Sequence, residues 1–189
     1  MDITREKAWE LLTTYTKTQA LQQHALAVEA VMRHFAEKEG EDVEKWGIIG
    51  LLHDLDYEQY PEQHCEKVIE ILTEHGYPQE YIHAICSHGY GICSKVKPEH
   101  TMEKILYTID ELTGLINATC LMRPSKSVLD LKLKSVKKKF KTASFASGVN
   151  REVILNGCDV LGVELDDIIQ ETIAGMQKEA EAIGLKGTL

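Results

Sequence analysis

The sequence predicts an all-α fold. Three observations lead there. Apolar residues recur at helical spacing along most of the chain, glycine and proline cut those stretches into pieces of helix length, and only one short segment alternates in the manner of a strand. With 43% apolar and 27% charged residues in 189 positions, the composition suits one globular core, and we read residues 1–189 as a single domain.

Asp2 is placed to cap a first helix that runs to about residue 16. A second helix spans about residues 18–39 and stops at Gly40, with a buried stripe of Leu21, His24, Val28, Val31 and Phe35. Residues 42–54 form a third helix that is apolar nearly all round and therefore central. Pro61 suits the first turn of a fourth helix, which carries His64, Val68 and Leu72 on one face and ends before Gly76. Pro78 opens a fifth, with Tyr81, Ile85 and His88 on a shared face. A sixth runs over about residues 101–122, where Asp110 sits beside the stripe Ile105, Ile109, Leu112 and Ile116. Residues 151–161 and 164–183 give two C-terminal helices. The segment 127–141 stays open: Leu129, Leu131 and Leu133 alternate with charged residues like a strand, whereas Val136 and Phe140 suit a short helix.

Charge is uneven. Residues 123–141 hold eight basic residues and one acidic, a local +7 set against a total of -9. Such a segment could hold a phosphate, which makes Arg123, Lys126, Lys137 and Lys138 candidate phosphate contacts, or it could be a solvated face. The acidic total gives no general attraction to nucleic acid, and the basic segment contains a single aromatic residue, Phe140. No apolar run is long enough for a membrane span, and the first residues lack the apolar stretch of a signal peptide, so a cytoplasmic location is the expectation. Five cysteines without a CxxC pair read as reduced, partly buried thiols.

The strongest chemical signal is the doublet His53-Asp54 at the end of the apolar third helix. An imidazole and a carboxylate are costly to bury there unless something compensates them, and a metal cation does. His24, His64, His88 and Asp110 lie on other helices where packing could bring them to the same place. Four histidines and two carboxylates suffice for two metals with Asp54 between them, and this mixed set suits iron, manganese or zinc better than calcium. His83 points about 140° away from His88 around the fifth helix at 100° per residue, so His88 is preferred as the ligand. His34, His75, His83 and His100 are read as surface residues.

The order His24, His53-Asp54, His88, Asp110 resembles the HD-domain superfamily of metal-dependent phosphohydrolases, over about residues 20–115. His64 resembles the extra histidine of the two-metal branch, with Cys65 standing where that branch commonly has proline. The stretches around His53-Asp54-Leu55-Asp56-Tyr57 and Asp110-Glu111-Leu112-Thr113-Gly114 resemble small bacterial hydrolases of the HD or HDIG type. The resemblance implies a compact helical HD-domain bundle with C-terminal helices packed on it. It also implies a divalent transition metal as cofactor and a metal-activated water that cleaves a small-molecule phosphate mono- or diester, with nucleotides foremost. Asp54, Asp56 and Tyr57 are then the catalytic candidates, with Glu111 a further candidate beside Asp110. Two alternatives stay open: a di-iron oxygenase of the same superfamily and a non-catalytic regulatory module. The sequence is silent on oligomeric state.

Overall fold

In the computed structural model, which describes residues 3–189, the chain folds into nine α-helices, and no strand longer than an isolated bridge between Tyr90 and Ser94 occurs among the described residues. The helices are α1 (Arg5–Tyr15), α2 (Gln19–Glu39), α3 (Val43–Leu52), α4 (Lys67–Glu74), α5 (Gln79–Ser87), α6 (Thr101–Leu121), α7 (Leu133–Phe140), α8 (Arg151–Leu161) and α9 (Leu165–Lys178). Asp2 lies outside the described residues. The first described cap is Thr4, whose hydroxyl accepts from the Lys7 amide.

The two 21-residue helices α2 and α6 pack against each other at the centre. α2 also meets α3 and α9, and α6 also meets α8 and α7. Gly40 ends α2 in the left-handed region at φ 71°, a conformation that glycine adopts without steric cost. Asp42 then caps α3 by accepting from the Lys45 amide. From Trp46 to Leu52 every residue of α3 is buried, which accounts for its lack of a polar face. Gly175 of α9 faces α2 so closely that a Cβ there would lie 2.9 Å from Val31 Cα, so the absence of a side chain sets the spacing of these two helices.

Two sequence expectations are corrected and one open segment is resolved. The expected fourth helix is two pieces: a 3-10 turn, Pro61–Gln63, and α4, separated by Cys65 at φ 68°. Left-handed backbone cannot continue a right-handed helix, so His64 sits in the break and on no helix. The open segment 127–141 resolves as a loop followed by α7, with Val136 buried against the core. Its alternating leucines form no ladder; Leu131 is buried and Leu129 is exposed. The last helix stops at Lys178, short of residue 183.

Candidate metal centre

Five segments meet at one point. α2 brings His24 from its second turn, and the end of α3 brings His53 and Asp54. The break before α4 brings His64, the C-cap of α5 brings His88, and the middle of α6 brings Asp110. The loop after Asp54 is held down by Glu58, whose carboxylate accepts from the backbone amides of Lys17 and Thr18 at 2.8 and 3.1 Å.

The side chains form two groups that share Asp54. In one, His24 Nε2 lies 2.9 Å from Asp110 Oδ1 and 3.2 Å from His53 Nε2, and His53 Nε2 lies 3.2 Å from Asp110 Oδ1. Asp54 Oδ2 faces this group, 3.4 Å from His53 Nε2 and 3.7 Å from His24 Nε2. In the other, Asp54 Oδ1 lies 3.4 Å from both His64 Nε2 and His88 Nε2. Within each group the ligand-type atoms lie within 4.8 Å of one another, close enough to hold a metal ion.

Three of the four imidazoles are fixed from behind. His53 Nδ1–H donates to the Gly50 carbonyl at 2.8 Å and His88 Nδ1–H to the Ile85 carbonyl at 2.5 Å. His64 Nδ1–H donates to Asp56 Oδ1 at 2.7 Å. Each bond leaves Nε2 as the free nitrogen facing the centre, the tautomer a metal requires. The donor set therefore fits a divalent transition metal: imidazoles whose Nε2 atoms face the centre, and two carboxylates in a largely buried pocket. His53 is fully buried, and Asp54 and Asp110 each retain 20% side-chain exposure.

The electrostatics reflect the same crowding. Burial works against a charged His53, but Asp54 and Asp110 outweigh it and raise the imidazole well above the usual histidine value. Burial likewise opposes the Asp54 and Asp110 charges, and His53 foremost among their neighbours holds both carboxyls below the carboxylate range. Burial lowers His64, but the Asp56 hydrogen bond and neighbouring charges carry it up to about 10. A bound cation has to displace the protons so held, because imidazole ligates only when neutral.

A cavity of about 270 Å³ opens onto the centre. Its walls include His24, Asp54, His64, His88 and Asp110, together with Tyr57, Ile92, Cys93, Glu111, Gly114 and Val153. Tyr57 packs edge-on against His64 with ring centroids 5.3 Å apart. Glu111 Oε2 accepts from the Asn150 amide at 2.9 Å, and burial raises its carboxyl above the usual range.

Other candidates fall elsewhere. Asp56 is fully buried and does not line the cavity: one oxygen holds His64 and the other accepts from the Val68 amide at 2.9 Å. It lies behind His64, away from the cavity wall. None of Arg123, Lys126, Lys137 and Lys138 lines the cavity. Arg123 is forked onto Asp130, Lys137 pairs with Asp166 at 2.7 Å, and Lys137 and Lys138 line a separate groove along α7. His83 bonds Glu103 at 2.8 Å. His34, expected at the surface, keeps only 11% exposure because Glu171 of α9 covers it at 2.7 Å. The sequence offered no sign of Cys93, which lines the cavity, or of its neighbour Cys65 28 positions earlier.

A family model described as HD domain matches residues 21–115, half of the chain and the span that carries every residue of the centre. No curated protein and no solved structure matches.

Proposed function

Because the chain belongs to the HD-domain family, whose members are metal-dependent hydrolases, we propose that it is a phosphohydrolase that cleaves a small phosphate mono- or diester. The observation that carries this reading is the sharing of Asp54: Oδ2 faces His24, His53 and Asp110, and Oδ1 faces His64 and His88. One carboxylate between two ligand groups suits two divalent ions, iron or manganese before zinc. When bound, such ions neutralise phosphate charge and make water acidic enough to lose a proton near neutral pH.

The remaining work belongs to the chain. The imidazoles and carboxylates hold the ions, and the carbonyls of Gly50 and Ile85 and the Asp56 carboxylate keep the rings turned inward. Ile92 and Val153 add apolar side chains to the lining. Beyond the metal-ligand set the wall carries the protonatable groups Glu111, Tyr57 and Cys93; of these we assign Glu111 and Tyr57 to the leaving oxygen, and the raised Glu111 carboxyl retains its proton to higher pH than an ordinary glutamate. Among the described residues no Lys or Arg lines the cavity, so no ammonium or guanidinium there meets additional phosphates. This favours a substrate with a single phosphate group, such as a nucleoside monophosphate, over a polyphosphate.

The test is phosphate release from a panel of nucleotides and simple phosphoesters, with manganese or iron(II) present and oxygen excluded. Wild type should release phosphate and Asp54→Ala should not. Release at the same rate by both proteins overturns the proposal. Iron-dependent oxygen uptake without phosphate release would favour the oxygenase instead.

A further inference from the structure

We propose that Cys65 and Cys93 form a reversible disulfide at the rim of the metal pocket. The two sulfurs lie 2.7 Å apart, inside van der Waals contact and within a small movement of a covalent S–S bond. Gly89 makes the approach possible. A Cβ at that position would overlap both sulfurs. Cys65 also occupies the left-handed region at φ 68°, an uncommon conformation for a residue with a side chain. Such outliers persist where the surrounding structure imposes them, and they cluster at functional positions.

The neighbourhood favours a thiol pair over a third metal position. His64, Cys65 and Cys93 bring three ligand-type atoms together. However, His64 Nδ1 is already engaged by Asp56, and Nε2 faces Asp54 in the centre described above. His64 also bonds the Cys93 thiol, but the two sulfurs approach each other to 2.7 Å. Cys86 donates its thiol to the Cys65 carbonyl at 3.5 Å, with its sulfur directed at backbone.

Access differs between the two. Cys93 is half-buried and lines the pocket, whereas Cys65 is buried. A small disulfide such as oxidised glutathione therefore meets Cys93 first. The Cys93 thiolate attacks one glutathione sulfur, and the other glutathione leaves as its thiol, taking up a proton. Cys65 then loses its proton, attacks Cys93 Sγ and expels the second glutathione. Two electrons and two protons pass from the pair to one glutathione disulfide. The new bond joins the turn that carries His64 to the loop that follows His88, and so ties together two segments of the centre.

The experiment uses the full chain, reduced, freed of reductant and loaded with manganese, then exposed to oxidised glutathione. Peptide mapping by mass spectrometry should show Cys65 joined to Cys93, with the bond opened by dithiothreitol. The melting temperature of the oxidised protein should rise by about 5 °C or more, as expected for a cross-link closing a loop of this length. In Cys65→Ser, glutathione should stay attached to Cys93 because no second thiol displaces it. Glutathione that remains on Cys93 of the wild type, a cross-link that maps to Cys86, or a folded protein with no oxidised cysteine would each overturn the proposal. The wild-type map decides the question even where the variant fails to fold.

Discussion

At the residue scale, the centre depends on groups that touch no substrate. Asp56 spends both oxygens on the protein, one on His64 and one on the Val68 amide in the first turn of α4. Asp56→Asn replaces an anionic acceptor with a neutral amide. Metal affinity should fall by about 10–100-fold, as is usual for partners that orient a ligand, while the helical circular dichroism signal stays intact. Calorimetric titration with manganese checks this; an unchanged affinity would mean that His64 needs no such support. Lys138→Ala should leave phosphate release unchanged, since Lys138 lies on the α7 groove away from the cavity. The ligand types were readable in the sequence because imidazoles and carboxylates on apolar stripes demand compensation. Positioning roles were not. Nothing in the two-residue spacing of Asp54 and Asp56 says that one faces the cavity and the other the core. Nor could the sequence separate a basic segment that binds phosphate from one whose Arg123 and Lys137 are taken by Asp130 and Asp166.

At the element scale, α2 meets α3 and α9 through glycine, Gly50 of α3 against Glu29 and Gly175 of α9 against Val31. Gly175→Ala would press a methyl group onto the backbone of Val31, and α2 cannot yield there without moving His24. The expected cost is about 1–3 kcal/mol, typical of overpacking, read as a lower urea midpoint. An unchanged midpoint would show that the two helices can separate freely. Helix periods, the Gly40 stop and the apolar α3 were legible because each depends on local sequence. The break at Cys65 was not. It puts a residue with a Cβ at positive φ, and the adjacent pattern His64, Val68, Leu72 is itself helical. In 127–141 the alternation of leucines competed with the spacing of Val136 and Phe140, and tertiary burial of Val136 decided for the helix.

For the whole molecule, carboxylates tie the helices together and make stability depend on pH. Glu103 at the start of α6 accepts from the amides of Glu99 and His100 and pairs with His83 of α5. Glu171 of α9 pairs with His34 and Lys38 of α2. Burial works against each charge, but these partners outweigh it and lower both carboxyls below their ordinary 4.5. The unfolded chain therefore binds more protons in acid. These contributions are fully present above the unfolded value near 4.5 and are lost as pH falls through the lowered folded values. The urea midpoint should fall on acidification through that range, and Glu103→Gln with Glu171→Gln should flatten part of the fall. No helix among the described residues is long and apolar enough to cross a membrane.

The central claim is that Asp54 joins two metal positions, and equilibrium dialysis of metal-free protein against manganese(II) tests it most directly. Wild type should retain two ions per chain, and Asp54→Ala, while still folded, should lose both or bind them far more weakly. Retention of one ion or none by wild type, or an unchanged count in the folded variant, would contradict it.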